Sequence, residues 1–83
     1  MDIGVEISFY PLTERFAPLI HEFIARLNAA GDLKVVSGSL GTQVIGEYER
    51  VFETLRREMR NLLEDRGAHS GKAVFVMKLL GPL

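Results

Sequence analysis

Three polar side chains recur at every second position near the start of the chain: Glu6, Ser8 and Tyr10. Successive side chains of a strand point to opposite faces, so these three share one face and their apolar neighbours share the other. A carboxylate, a hydroxyl and a phenol on one surface can hydrogen-bond to a small heterocycle, and the carboxylate can offset a positive charge. A tyrosine ring over a cation would add about 0.5–2 kcal/mol. This pattern predicts a ligand-binding surface at the end of a strand.

A second polar segment, Thr42-Gln43, lies on a later predicted strand that should neighbour the first one in the sheet. Its hydroxyl and amide groups are therefore expected beside the first three residues. Adjacent residues of a strand point oppositely, so the sequence leaves open whether Thr42 or Gln43 shares their face. Polar alternation is more often typical of a solvated sheet face than of a binding site. Both interpretations stay open on spacing alone.

The elements that position these residues follow from hydrophobic periodicity and breakers. Pro11 has no amide hydrogen and should end the first strand, while Gly31 and Gly67 should end the two amphipathic helices. Gly38-Ser39 suits a two-residue hairpin turn with glycine first. The predicted strands cover residues 3–10, 33–37, 40–45 and 73–80, and the predicted helices cover residues 17–27 and 48–63.

This order contains two βαβ units joined by a hairpin. Right-handed crossovers then give an α+β, ferredoxin-like βαββαβ sandwich, with a four-stranded antiparallel sheet and two helices on one face. The last strand alternates Val74 and Val76 with Phe75 and Met77, so both of its faces are apolar. The open face of an antiparallel sheet is normally polar. We therefore predict that a second subunit packs against this strand, sheet to sheet or edge to edge, most simply in a twofold dimer.

Length and composition fit a single domain over residues 1–83. Hydrophobic residues make up 47% of the chain, and the absence of cysteine excludes disulfides and thiolate metal ligands. The ten basic and eleven acidic residues are interspersed and give a net charge of -1, so no basic field attracts nucleic acid. No apolar run approaches the ~20 residues needed for membrane insertion, and no signal-peptide pattern is visible. We predict a cytoplasmic location.

The sequence gives little support for an enzyme or a metal site. The two histidines, His21 and His69, have no recognisable nucleophile partner, and no cluster of residues has metal-ligand spacing. The glycine-rich hairpin lacks the lysine and the following helix of a phosphate loop. RNA-recognition domains share the element order, but the third strand here has no aromatic residue on which a base could stack. We expect no catalytic residue, no metal and no cofactor.

Two segments resemble the YkoF-type thiamine-binding family. Residues 7–12, Ile-Ser-Phe-Tyr-Pro-Leu, are similar to its serine-x-tyrosine-proline signature, and residues 41–46, Gly-Thr-Gln-Val-Ile-Gly, are similar to its third strand. The resemblance covers nearly the whole chain in element order. It implies a ferredoxin-like domain that binds thiamine or its hydroxymethylpyrimidine portion, with Ser8, Tyr10 and Thr42 near the ligand and Glu6 and Gln43 as weaker additions.

The resemblance also implies how such a protein would work. YkoF carries two domains in one chain, whereas this sequence has one, so two subunits would supply what a tandem chain supplies internally. The single-domain members that it resembles imply a homodimer or a homotetramer. The expected function is non-enzymatic binding of thiamine, as ligand and not as cofactor, in vitamin salvage or delivery. The alternative is a homo-oligomeric regulatory or interaction protein that has no thiamine ligand.

Overall fold

The computed structural model describes residues 1–64 and 72–83 of the chain. Its elements follow the predicted order: β1 (Asp2–Pro11), α1 (Phe16–Asn28), β2 (Lys34–Gly38), β3 (Gly41–Glu47), α2 (Tyr48–Glu64) and β4 (Ala73–Leu80). The strands form one antiparallel sheet in the order β2-β3-β1-β4. The ferredoxin-like α+β fold is thereby confirmed. No helix in the described part of the chain combines the length and apolarity needed to cross a bilayer.

The core forms where both helices pack on the face of the sheet to which the odd-numbered side chains of β1 point. Two amphipathic helices cover this face because each carries apolar residues at three- and four-residue spacing. Full burial of such a side chain stabilises the fold by roughly 1.5–3 kcal/mol. The buried apolar residues are Ile3, Val5, Ile7, Phe9, Leu19, Phe23, Leu27, Val44, Val51, Leu55 and Leu62.

An aromatic cluster closes the core at the end of β1. The rings of Phe9 and Phe75 are stacked with centroids 4.7 Å apart, and Phe23 of α1 lies tilted at 5.4 and 5.5 Å from them. Aromatic pairs in these geometries contribute about 0.5–1.5 kcal/mol beyond their burial. The cluster therefore fixes α1 against the two neighbouring strands at this end of the sheet.

The buried stripe of α2 is rotated relative to the stripe that apolar periodicity alone suggests. Thr54 and Glu58 are buried, whereas Phe52 and Leu63 are exposed. Glu58 faces α1, where its carboxylate lies 3.5 Å from the guanidinium of Arg26 and accepts a hydrogen bond from the amide of Asn61 at 3.2 Å. A polar contact thus joins the two helices, and part of the apolar side of α2 is left uncovered.

The hairpin turn lies one residue later than the sequence suggested. Gly38 belongs to β2 and pairs with Gly41, so the two-residue loop is Ser39–Leu40 and not Gly38–Ser39. A turn with glycine first would need positive φ at its first loop residue. Positive φ is found instead at Gly41, the first residue of β3, with φ of 151°.

The ends of β1 and α1 lie within a few residues of the positions that proline and glycine predicted. β1 includes Pro11, which pairs with Ala73, so the strand runs one residue further than predicted. The amide of Leu12 donates to the carbonyl of Lys72 at 2.9 Å, so the nitrogen of Pro11 points away from β4 and its missing hydrogen disturbs no pairing there. α1 ends at Asn28, and Gly31 adopts a φ of 77° in the following turn. Gly67 and His69 lie outside the described residues.

An ion pair fastens the loop before β2 to the first turn of α2. Asp32 accepts a hydrogen bond from the Arg50 guanidinium, and Arg50 also bonds Glu53 at 3.1 Å. The hydrogen bond from Arg50 lowers the pKa of Asp32, and the same contact raises the pKa of Arg50. Both side chains are exposed, so the pair is screened by salt and contributes modestly to stability.

Removing a core side chain should cost far more than removing an exposed one of the same type. Leu27 is 0% exposed and Leu63 is 49% exposed. We expect Leu27→Ala to lower the free energy of unfolding by about 2–5 kcal/mol, measured by urea titration. Leu63→Ala should change it by less than about 1 kcal/mol. Equal effects of the two substitutions would contradict the described packing.

The Asp32 ion pair should give a pH-dependent contribution to stability. A carboxylate whose pKa is lowered in the folded state stabilises the fold above its unfolded pKa, and this contribution is lost as the pH falls through the folded value. We therefore expect Asp32→Asn to lower the Tm at pH 7 in low salt, with a difference that shrinks below about pH 4. A deficit that persists unchanged in acid would show that Asp32 acts by another route.

Candidate functional site

The even-numbered residues of β1 lie on the open face of the sheet, as their alternation predicted. Register places Glu6 between Gln43 of β3 and Lys78 of β4, and the Lys78 Nζ lies 4.0 Å from the Glu6 Oε1. Thr42 instead pairs with Ile7, on the side covered by helices, where it is 5% exposed. Gln43 therefore shares the face of Glu6, and Thr42 does not.

A gap opens in the sheet because β1 is longer than its pairing with β3. That pairing ends at Ile7 and Thr42, whereas β4 accompanies β1 to Pro11. Backbone groups of successive residues point to opposite sides of an antiparallel strand. Since the amide of Leu12 points to β4, the backbone N–H and C=O of Phe9 point into the gap. The gap lies between α1 and the β2–β3 hairpin, and its floor can donate and accept hydrogen bonds.

A pocket of about 150 Å³ lies in this gap, and we call it the hairpin pocket. It brings Ser8, Tyr10 and Thr42 together even though Thr42 lies on the other face, because the pocket opens at the end of the sheet and is lined from both faces. Among the described residues that line it, none carries a charge at neutral pH. The lining residues are Ile7, Ser8, Phe9, Tyr10, Ile20, Phe23, Ile24, Gly38, Ser39, Leu40, Gly41 and Thr42.

Hydroxyl groups provide the polar side chains of the hairpin pocket. The hydroxyl of Ser8 donates to the carbonyl of Leu40 at 3.4 Å, which is a long bond, and Thr42 shares a contact of 3.4 Å with the hydroxyl of Ser37. Both distances exceed the usual range of about 2.5–3.0 Å for O–H···O hydrogen bonds, so these contacts hold the hydroxyls weakly. The Tyr10 side chain is more than half exposed at the pocket mouth. These groups can bind a neutral polar ring.

Gly41 allows the hairpin to approach β1 closely. A Cβ atom at this position would lie 3.1 Å from the Oγ of Ser8 and 3.4 Å from the carbonyl oxygen of Ile7. Its φ of 151° is also rarely adopted by residues with a side chain. The shape of the pocket beside Ser8 therefore depends on a glycine at position 41.

Glu6 and Gln43 do not line the hairpin pocket but line two grooves on the open face. One groove, of about 360 Å³, runs over Gly4 toward Leu80. The other, of about 380 Å³, lies beside Leu40 and shares the hairpin residues 38–41 with the hairpin pocket. The predicted site residues thus divide between two adjoining compartments, with Ser8, Tyr10 and Thr42 in one and Glu6 and Gln43 in the other.

The walls supplied by α1 were not identified as site residues from the sequence. Ile20, Phe23 and Ile24 belong to an ordinary amphipathic stripe, and that pattern does not distinguish a pocket wall from a core position. Leu40 was assigned to a strand, yet it lies at the tip of the hairpin. The ion pair of Asp32 and Arg50 is at the opposite end of the hairpin, so its altered pKa values do not act on the pocket.

Comparison with known proteins identifies similar folds but no family. No family model matches the sequence, and a search of curated proteins gives no significant match. A candidate thiamine biosynthesis or salvage protein from Thermotoga maritima is 23% identical and aligns with a TM-score of 0.81 over 95% of this chain and 82% of that one. Protein SP2199 from Streptococcus pneumoniae is 15% identical, with a TM-score of 0.84 over 100% of this chain and 89% of that one.

A third similar structure is a domain of unknown function, DUF77, from Bacillus cereus. It is 14% identical to this chain and has a TM-score of 0.80 over 99% of this chain and 77% of that one. At such identities the similarity shows a shared fold. It agrees with the sandwich described above.

Substitution of Gly41 should destabilise the protein, while substitution of its partner across the hairpin should not. We expect Gly41→Ala to lower the free energy of unfolding by about 1–3 kcal/mol, because of its φ and the contact with Ser8. At Gly38 a Cβ would have its nearest neighbour at 3.9 Å, so Gly38→Ala is the matched control. Thermal unfolding of both variants compares them, and equal Tm values would exclude a special requirement at position 41.

Proposed function

We propose that this protein binds thiamine or its hydroxymethylpyrimidine portion in the hairpin pocket, without converting it chemically. The observation that carries this proposal is that one pocket gathers Ser8, Tyr10 and Thr42, the residues that the YkoF-type resemblance associates with the ligand. The fold shared with the candidate thiamine biosynthesis or salvage protein from Thermotoga maritima supports the same class of ligand. The role that fits a binding protein of this kind is vitamin salvage or delivery.

The size of the pocket favours one ring as its occupant. A cavity of about 150 Å³ lined by apolar residues is large enough to hold benzene. The hairpin pocket has this volume, so a single six-membered ring fits and a two-ring molecule extends beyond it. The pyrimidine is therefore the part of thiamine that we assign to the hairpin pocket.

The chemistry of the lining suits a neutral aminopyrimidine. Apolar side chains from α1 flank the space, which favours the faces of an aromatic ring. The hydroxyls of Ser8 and Thr42 and the backbone N–H and C=O of Phe9 can bond ring nitrogens and an amino group. The uncharged lining is consistent with a ring that carries no charge.

The adjoining groove on the open face suits the second, cationic ring of thiamine. Glu6 and Gln43 line this groove, which shares residues 38–41 with the hairpin pocket. A carboxylate beside a positively charged ring is favourable, and the amide can donate or accept a hydrogen bond. In this arrangement all the predicted site residues contact the ligand, but they contact different rings of it.

A second candidate function is that of a homo-oligomeric regulatory or interaction protein without a thiamine ligand. It is favoured by the exposed apolar residues on both faces of β4. In that case the polar residues of the hairpin pocket are ordinary surface groups. The cytoplasmic location, the absence of a cofactor and the absence of nucleic-acid partners stay predictions.

Calorimetric titration with hydroxymethylpyrimidine and with thiamine tests the proposal. We expect saturable binding of both, weakened about threefold to tenfold by Ser8→Ala or Thr42→Val, since each removes one hydrogen bond of about 0.5–1.5 kcal/mol. Tyr10→Ala should weaken binding as well. A wild-type protein that gives no heat and no rise in Tm with either compound would exclude this ligand class.

Open-face variants provide the matched control for the position of each ring. Glu6→Gln and Gln43→Ala should weaken the binding of thiamine and leave that of hydroxymethylpyrimidine unchanged. Loss of hydroxymethylpyrimidine binding in these variants, with Ser8→Ala unaffected, would place the ring on the open face and contradict our assignment.

A further inference from the structure

The outer edge of β4 exposes backbone groups that can pair with another strand. β4 is at the end of the sheet and bonds only β1 among the described strands. The amide of Leu12 donates to the carbonyl of Lys72, and this pair continues the register of the two strands, so the even-numbered residues of β1 and β4 bond each other. The N–H and C=O groups of the odd-numbered β4 residues therefore point outward. These residues are Ala73, Phe75, Met77 and Leu79.

The side chains of this edge are apolar on both faces. Natural sheet edges are usually protected by charges, prolines or bulges. Within Ala73–Leu80 the sole charged residue is Lys78, and it lies beside Glu6 on its own sheet. The exposed apolar residues of the strand, with exposures of 44–71%, are Val74, Val76, Met77, Leu79 and Leu80.

An apolar groove next to the edge adds to this surface. It has a volume of about 200 Å³ and lies between α2 and β4. Phe52 and Met59 line it from the helix, and Met77 and Leu79 line it from the strand. The rotation of the buried stripe of α2 leaves this groove uncovered, and a strand added beside β4 would lie next to it.

We propose that β4 pairs antiparallel with β4 of a second copy of this chain, about a twofold axis at Val76, so that the two sheets become continuous. In this register Ala73 lies opposite the partner's Leu79, and Phe75 lies opposite the partner's Met77. The backbone N–H and C=O groups of each outward-pointing residue then face those of an outward-pointing residue of the second copy, which allows about eight hydrogen bonds between the copies. This inference is independent of the proposed ligand.

The sequence of β4 is complementary to itself in this register. On the helix side, the small Ala73 faces the partner's Leu79, and the Phe75 ring faces the partner's Met77, a favourable thioether–aromatic contact. On the open side, Val76 meets the partner's Val76, and Lys78 faces the partner's Val74. No like charges face each other, which supports a second copy as the occupant.

Other registers of the same pairing are poorer. A shift by one residue sets outward-pointing groups against inward-pointing ones, so the ladder of hydrogen bonds fails. A shift by two residues leaves one outward-pointing residue at the strand end without a matched β4 residue. A shift by four residues in one direction sets Lys78 against the partner's Lys78, and like charges directly opposite are destabilising. Val76 is therefore the expected centre.

Charge variants at the axis give a direct test by sedimentation velocity. Wild type should sediment as a dimer of the 9.3 kDa chain. Val76→Glu should be monomeric, and so should Val76→Lys, because each sets two like charges against each other at the axis. An equimolar mixture of the two variants should recover a dimer, since opposite charges then meet. A mixture that stays monomeric, or a wild type that is monomeric, would overturn the proposal.

Val74→Glu distinguishes edge pairing from packing of open faces. In the proposed register the new carboxylate lies opposite the partner's Lys78, so the dimer should persist. Packing of one open face on another would bury the carboxylate, so dissociation of this variant would contradict edge pairing. Circular dichroism checks that each variant is folded.

Met77→Pro tests the same contact if a Val76 variant does not fold. The N–H of Met77 points outward and bonds no residue of β1, so the proline removes a hydrogen bond between the copies and none within the sheet. A Met77→Pro dimer would overturn the proposal.

Discussion

β1 is the strand on which every other element of this protein depends. It lies between β3 and β4, and its odd-numbered side chains form the sheet side of the core on which both helices pack. The stabilisation of roughly 1.5–3 kcal/mol from each buried side chain exceeds that of any exposed ion pair. The exposed contact of Asp32 with Arg50 therefore adjusts an arrangement that apolar burial already determines.

The candidate site arises from unequal strand pairing and not from a specialised loop. Since β3 begins at Gly41, the last four residues of β1 lack a neighbour on that side, and α1 and the hairpin tip enclose the space. The polar groups of the pocket are thus held by a strand, a hairpin and a helix whose positions the core fixes. Such support keeps a small pocket in shape, as specific recognition of a single ring requires.

Periodicity was sufficient to predict the fold, because two-residue and 3.6-residue patterns alternate clearly along the chain. It was not sufficient to orient Thr42 and Gln43, since their faces depend on the register of β3 against β1, in which Thr42 pairs with Ile7 and Gln43 with Glu6. A shift of that register by one residue would exchange the two faces, and the periodicity of either strand alone does not fix it. The turn that the sequence suggested one residue early changes the partners across the hairpin by two residues and leaves these faces unchanged.

The stripe of α2 shows a second limit of sequence patterns. Its apolar residues extend around more of the helix than the sheet can cover, so periodicity alone could not indicate that Phe52 would be exposed and Glu58 buried. The contribution of α1 to the pocket was hidden for a similar reason. Ile20 and Ile24 have the spacing of core residues, and only the early end of the β1–β3 pairing makes them walls of a pocket.

Pro11 has a consequence for what can enter the gap between α1 and the hairpin. A polypeptide that extended the sheet there would need a donor at Pro11, because the proline nitrogen points to that side and carries no hydrogen. A single ring needs only the groups of Phe9 and the neighbouring hydroxyls. Pro11 therefore disfavours the addition of a β-strand in the gap between β1 and the hairpin, while the gap stays open to a small compound.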